Sequence, residues 1–536
     1  MRKFTFTLLV TALLYTSGIH AQLFQNFIGK ADPREFGNSV TQQVDSTYLI
    51  GGNYRNTFSG NDFPAIIHLK KNGSVDWVRQ LNLPGQPSSY VQYAEAVRST
   101  TGTKDGYIAL LSGAQSIFVV RLTNAGTVSW ARKLANGATP TLLTLRVKPA
   151  YSSATSLPSF YVLAWDYNTK AQLVIKLNSS GSIIWQRSVT HSVSGNSYIF
   201  RDMKVTSDSG CVVTGYESTA STSKPVIFKF SPLGSVTMAK VYDFFSTAYN
   251  GGFGVAEVSG GGYVVTGDEN NGKDNLTFKT TSAGAILWGF KYTTAGTNQI
   301  NGQAVVTDAS GNIIVAGTNY NPLYLNDAFL MKLTSSGTVS FAKEYYGHSD
   351  INDLKLTKQG YCAVGTSDPS NVLSDIYVIQ TNTSGNIASS CQPASVTYTR
   401  VSPEFNSVVN AGFVNSVASL TNVAVTVNSP SITTEEARCG TASPASLINE
   451  GTIAGTLTAY QFNANSIRTE YKVAATDAKT YEVKLYNLNG DISASSLLKA
   501  NEPVVLQAAN LQQGMYMVTV TCKGEFVAQQ KIMVSK

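Results

Sequence analysis

Histidine and cysteine are scarce in this chain: four and five residues, respectively, among 536. His68, His191 and His348 lie outside any Ser/His/Asp or Cys/His phrase, so nucleophilic catalysis has no local support. No CxxC pair and no Cys/His cluster with metal-ligand spacing occurs, and no glycine-rich phosphate loop. The sequence therefore predicts no metal, no cofactor and no enzyme. Charge is also sparse, at 14% of residues. The net charge of +7 is spread along the chain, the clearest basic run being Lys70-Lys71. Nucleic-acid binding needs a concentrated basic face, and none is expected. Long apolar runs are missing too. Leu8-Leu9-Val10-Thr11-Ala12-Leu13-Leu14 is too short to span a bilayer, so no membrane span is expected in the mature protein.

That short run has another reading. Arg2 and Lys3 precede it and Gly18-Ile19-His20-Ala21 follows it, the order of an export signal over residues 1–21 cut before Gln22. The rest is rich in glycine, tyrosine, serine, threonine and valine, the composition of a β-rich exported protein.

One phrase recurs seven times. Gly73, Gly126, Gly181, Gly234, Gly284, Gly337 and Gly385 stand 53, 55, 53, 50, 53 and 48 residues apart. Four residues after each comes Trp77, Trp130, Trp185, Met238, Trp288, Phe341 or Ser389, and five before each comes His68, Arg121, Lys176, Lys229, Lys279, Lys332 or Gln380. Short β-rich runs separated by turn residues surround the phrase, as in Ile313-Ile314-Val315-Ala316-Gly317. A period near fifty with four such strands per unit predicts an all-β fold, a seven-bladed β-propeller over residues 22–390. The glycine supplies the positive φ of a hairpin, and the aromatic packs between blades. The basic residue is expected to pack its stem and point its head outward. The seventh repeat lacks an aromatic fourth strand, while Phe24-Gln25-Asn26-Phe27-Ile28-Gly29 resembles the sixth repeat's Phe341-Ala342-Lys343-Glu344-Tyr345-Tyr346-Gly347. Residues 23–30 are thus expected to complete blade 7 and close the ring.

The phrase stops near Ser390. Residues 391–444 form a connector with β-type patches, expected to be a strand pair held by a Cys391–Cys439 disulfide, which leaves Cys522 unpaired. Cys211 and Cys362 sit in apolar strand phrases as core filler. Residues 445–536 read as a small β-sandwich. Tyr486-Asn487-Leu488-Asn489-Gly490, the Leu511-x-x-Gly514-x-Tyr516 phrase and the terminal Lys531-Ile532-Met533-Val534 resemble the type A C-terminal sorting domain of the Bacteroidetes type IX secretion system. A Pro-Asn-Pro opening common in that family is absent. The resemblance implies Asn489, Gly490, Gly514, Tyr516 and Lys531 as motif residues, outer-membrane secretion machinery as partner, and a secreted or outer-surface location.

Propellers present ligands at the channel mouth, an inference from fold alone. Tyr93, Arg201, Asp202, Asn301, Gln303, Asn352 and Asp353 open their repeats with polar groups and are the candidate partner-binding mouth; Tyr54, Phe58, Tyr320 and Tyr324 add aromatic loops. The run Asp268-Glu269-Asn270-Asn271-Gly272-Lys273-Asp274 has oxygen ligands at alternating positions but no distal glutamate, and reads as a solvated loop rather than a calcium site. The repeats resemble propeller repeats of large bacterial extracellular proteins, but lack the docking phrase of quinone-dependent dehydrogenases and the turn aspartate of sialidases. The expected function is a non-enzymatic propeller binding an extracellular protein, matrix polymer or glycan. A carbohydrate-active hydrolase or lyase using channel-mouth carboxylates, and a structural surface-layer or motility-associated component, are the alternatives.

Overall fold

The computed structural model describes residues 23–387 except 30–33, 56–60, 84–88, 114–115, 136–141, 245–248, 270–271, 294–298, 321–325, 346–348 and 368–373, and parts of 394–534. The export signal, Phe58, Tyr324, Cys391, Cys439, Asn489 and Gly490 lie outside the described residues, as does the side chain of Cys522.

Blade 1 shows the pattern: Glu35–Gln42, Tyr48–Arg55, Asp62–Leu69 and Val75–Asn82 form one antiparallel meander. Blades 2 to 6 repeat it, beginning at Tyr90–Arg98, Leu142–Ala150, Ser197–Val205, Asn250–Glu257 and Gln299–Thr307. Blade 7 supplies only Ser349–Leu356, Gly360–Ser367 and Ile376–Asn382 from its own repeat. Its fourth strand is Phe24–Gly29, pairing Phe24 with Gln380 and Ile28 with Ile376. The closure expected from the sequence is present.

The cores lie between blades. Successive residues of a strand point to opposite faces, so Ile50 and Ile67 pack toward blade 7 while Leu49 and Ile66 pack toward blade 2. Both faces are buried, which is why these strands read as continuous apolar runs. Seven such clusters fill the seven interfaces, and Cys211 and Cys362 are buried free thiols within them.

The repeated phrase fastens each blade to the next. All seven hairpin glycines have φ between +74° and +85°. A Cβ at Gly126 would meet Trp77, one at Gly181 Trp130, one at Gly234 Trp185, one at Gly284 Met238, one at Gly337 Trp288, and one at Gly385 Phe341. The seventh link is Gly73, where a Cβ would meet Phe24. Strand register explains the substitution. In blades 1 to 6 the residue five before the glycine pairs with the residue four after it, as His68 with Trp77, and in blade 7 Gln380 pairs with Phe24. The indole nitrogens of Trp130, Trp185 and Trp288 add bonds to the carbonyls of Ser179, Pro232 and Ser335 on the next blade, at 3.1, 2.9 and 3.1 Å.

The connector departs from expectation. It is no strand pair. Ala394–Ser395, Thr399–Val401, Phe405–Asn410, Phe413–Val414, Ser419–Asn422, Thr426–Asn428 and Thr433–Glu436 each add an antiparallel fifth strand to a different blade, in the order 6, 5, 4, 3, 2, 1, 7. The chain thus circles the ring a second time in the opposite sense. Successive strands begin 5 to 8 residues apart, and an extended step of about 6 residues reaches roughly 20 Å, so each step of this belt advances one blade. The physical drive is the unpaired edge of each outer strand. Arg400 shows the stitching: its guanidinium lies 4.3 Å from the Phe290 ring of blade 5 and donates to Thr338 Oγ1 of blade 6 at 3.2 Å. The last belt strand pairs Asn26 with Glu436, so the closing strand is held on both edges.

Beyond the belt, Gly455–Asn463, Ser466–Val473 and Val504–Gln507 form one sheet. Thr480–Tyr486, Ile492–Lys499, Gly514–Cys522 and Glu525–Val534 form a second. Ile467 and Leu506 from one and Val483, Leu485, Tyr516 and Val518 from the other share a core, giving the sandwich.

Candidate functional site

The first strand of every blade lines the central channel and is bulged at one shared position, with a second irregularity in blade 2 between Ala96 and Arg98. The residues left without a ladder partner at the shared bulge are Asn38, Gln92, Leu145, Arg201, Phe253, Gln303 and Asn352. A bulge bends the strand and re-aims the side chains beside it. The residue after it reaches the neighbouring blade. Ser39 Oγ accepts from the Ala94 amide at 2.8 Å, Asp202 Oδ2 from Val255 at 3.1 Å and Asp353 Oδ2 from Val40 at 3.1 Å. In blades 2 and 3 the same position holds Tyr93 and Arg146, and in blades 5 and 6 Gly254 and Ala304.

Two residues farther along lie Thr41, Glu95, Lys148, Lys204, Ala256, Val306 and Lys355. These two layers form a charged network. Tyr93 is fully buried; its hydroxyl lies 3.0 Å from Asp353 Oδ2 and 2.8 Å from Lys355 Nζ, and Lys148 Nζ donates to it as well. Glu95 Oε2 receives both lysines, at 3.1 Å from Lys148 and 3.0 Å from Lys355. Arg146 Nε meets Asp202 Oδ1 at 2.9 Å. Burial alone would raise the Glu95 carboxyl, but Lys148 and Lys355 outweigh it and bring it down to about 2. Asp202 is likewise held below its usual value by Arg146 and Lys148 against burial. Burial pushes the Lys148 ammonium down more than Glu95 restores it, whereas Asp353 and Glu95 hold Lys355 up. Each of these carboxylates has a cation beside it.

Of the candidate mouth residues, the structure brings Tyr93 and Asp353 together and ties Asp202 in through Arg146. The others stand apart. Arg201 is exposed, with Tyr216 Oη at 3.3 Å and the Phe253 ring at 5.8 Å. Asn352 Nδ2 donates to the Gly37 carbonyl of blade 1 at 2.9 Å. Gln303 is a half-buried bulge residue, and Asn301 pairs with Thr318 nearer the strand start. Tyr93, with no exposed surface, is an interior residue. Sequence reading missed Glu95, Arg146, Lys148, Lys204 and Lys355. Their signal was a second polar position recurring at the repeat period, as in Glu95 and Lys148, 53 residues apart.

Three further expectations need correction. The basic residues of the phrase do not point freely outward: Lys229 meets Asp208 at 2.8 Å, Arg121 meets Asp105 at 2.9 Å and Lys332 meets Asp308 at 3.2 Å, because the buried strand they share with apolar neighbours demands a partner for each charge. Tyr54 is buried, its hydroxyl donating to Gln80 Oε1. Glu269 and Asp274 are buried around Lys291, at 3.8 and 3.4 Å, and are not part of a solvated loop. His68 also sits in a relay invisible to local reading, with Asp76 Oδ2 3.0 Å from Nδ1 and Thr47 Oγ1 3.1 Å from Nε2. Thr47 Oγ1 donates to Asp45 Oδ1 at 2.6 Å, so its hydroxyl hydrogen is directed at Asp45 and not at His68. The described residues hold no group of three or more His, Cys, Asp or Glu side chains able to bind a metal.

Residues 464–535 match the secretion system C-terminal sorting domain family. The chain therefore carries a type IX secretion sorting domain, which marks it for secretion or outer-surface attachment. No curated protein matches the chain. Among solved structures it is similar to the Dos1 propeller, at TM-score 0.42 and 9% identity over 67% of this chain and 95% of that one. It is also similar to a protein of unknown function from Dyadobacter fermentans, at TM-score 0.35 and 8% identity over 67% and 98%. A third is the rhamnogalacturonan lyase YesW, at TM-score 0.32 and 12% identity over 68% and 75%. No helix among the described residues is long and apolar enough to cross a membrane.

Proposed function

We propose that the propeller is a non-enzymatic binding module, carried to the cell surface by its sorting domain to engage an extracellular protein, matrix polymer or glycan. The observation that supports this most is the state of the channel. Its carboxylates, Glu95, Asp202 and Asp353, are the groups a hydrolase or lyase would use. All three are spent on Lys148, Lys355, Arg146 and neighbouring-blade amides. A general acid needs a carboxyl raised toward neutrality, and Glu95 and Asp202 are shifted the other way. Asp268 and Asp350, which burial raises to about 6, lie outside this network, Asp268 against the Gly251 amide and Asp350 beside Asn326. The test is capture of native surface material on the purified full chain, with release of reducing ends or unsaturated uronates assayed in parallel. Stable capture of a defined component without bond cleavage is expected. Turnover of a polysaccharide that is lost in Glu95→Gln or Asp353→Asn would overturn the reading.

A further inference from the structure

The channel layer two residues past the bulges holds more positive than negative charge. Blades 3, 4 and 7 each place a lysine there, Lys148, Lys204 and Lys355, against the single carboxylate of Glu95. Lys148 and Lys355 share that carboxylate. The layer above offers no spare anion: Asp202 is held by Arg146 and the Val255 amide, and Asp353 by Tyr93 and the Val40 amide. Blades 5 and 6 contribute only Ala256 and Val306 at this level. Among the described residues Lys204 has no ion-pair or hydrogen-bond partner, and its side chain is reachable by solvent along the channel.

We infer that this layer is a binding site for one small oxyanion, a carboxylate, sulfate or phosphate group, held by Lys204 with Lys355 and Lys148 around it. The ring geometry supports a shared ligand. Lys148 and Lys355, from blades 3 and 7, converge on one Glu95 oxygen at 3.1 and 3.0 Å, and Lys204 of blade 4 stands at the equivalent position of its leading strand. Burial and Lys355 together depress Lys204, with Glu95 and Asp202 only partly opposing them. Three ammonium groups at one level of the ring against one carboxylate leave an excess of positive charge there, and an oxyanion beside Lys204 offsets that excess without disturbing the Glu95 pairs. At this level blades 5 and 6 place Ala256 and Val306, both buried in the inter-blade cores, and so add no competing carboxylate there. The inference stands apart from the identity of any macromolecular partner.

The experiment titrates the full chain with sodium sulfate, sodium phosphate, sodium acetate and sodium glucuronate. Sodium chloride at matched ionic strength is the control, and thermal unfolding and calorimetry are the readouts. At least one oxyanion is expected to bind saturably with one site. Stabilisation grows with free ligand as mass action requires, and chloride should not reproduce it. Lys204→Met should weaken that binding by about tenfold or more, the scale of one lost charge-assisted contact, while Lys70→Met binds like the parent. Binding by acetate and glucuronate alone assigns the group to a peptide or acidic sugar carboxylate; binding by sulfate or phosphate alone assigns it to an ester of those acids. Equal binding in Lys204→Met, or stabilisation that follows ionic strength only, overturns the site. If Lys204→Met does not fold, Lys204→Gln takes its place. In addition, the parent's reductively ¹³C-methylated lysines must show a subset of signals moving with the calorimetric midpoint. No moving signal also overturns the site.

Discussion

Phe24 is the residue on which ring closure can be tested energetically. It occupies the aromatic position of blade 7 by register with Gln380, is 6% exposed, meets Tyr48 edge-on at 5.4 Å, and covers Gly73. Truncating a buried phenylalanine removes its transfer free energy and leaves a cavity, together about 3–5 kcal/mol. Phe24→Ala should therefore lower the stability of the full chain by that amount in denaturant unfolding followed by tryptophan fluorescence. Gly73→Ala attacks the same contact from the other side. A Cβ there lies 2.7 Å from Phe24 Cγ and 2.6 Å from Asn26 Nδ2, and the residue sits at φ +83°. The backbone part costs about 1–2 kcal/mol and the overpacking about 1–3 kcal/mol. The overpacking is shared between Phe24 and Asn26 Nδ2. In the double variant the Phe24 share disappears, so the two changes should fall short of additivity by about 1–2 kcal/mol. Additivity within about 0.5 kcal/mol, the behaviour of distant sites, would refute the placement of the amino-terminal strand against blade 1.

Other predictions follow from the charged and terminal features. Glu95→Gln strands Lys148 and Lys355 without their carboxylate and should cost about 3–5 kcal/mol; adding Lys148→Met should recover part of this in the same unfolding assay. Burial pushes the Asp268 carboxyl up to about 6, against the Gly251 amide. Its folded value thus exceeds its unfolded one, and its ionisation cost is absent below about pH 4, grows through pH 6 and is constant above. Asp268→Asn should accordingly stabilise the protein by about 1–2 kcal/mol at pH 7.5 and by little at pH 4, read from denaturant midpoints at the two values. Deleting residues 445–536 should leave the protein inside the cell envelope, as fractionation and immunoblotting would show.

The parts of the fold that sequence made legible are those that repeat. Gly73 to Gly385, with the aromatic four residues on, mark one hairpin per blade. The missing aromatic at Ser389 pointed to Phe24 as its replacement, because the same packing problem recurs at every interface. The belt left no such mark. Its strands are two to six residues long and each pairs with a different blade, so no period survives in residues 394–436. The channel was half legible. Asp202 and Asp353 were picked out as polar residues on leading strands, but their partners, Arg146 and Tyr93, are 56 and 260 residues away in the chain. Only the closed ring brings them together. The bulges were hidden for a related reason: a displaced ladder position at Arg201 or Asn352 is a property of the pairing, not of either strand.

The central claim, a closed ring whose amino-terminal strand is clamped between blade 7 and the returning belt, is tested most directly by an engineered disulfide. Asn26 and Glu436 are opposite each other in the ladder, and antiparallel partners stand about 4.5–5.5 Å apart, within disulfide reach. In a chain carrying Asn26→Cys and Glu436→Cys, oxidation and non-reducing peptide mapping should yield one linked peptide joining residues 26 and 436. Two free thiols at those positions under the same oxidation would contradict the account.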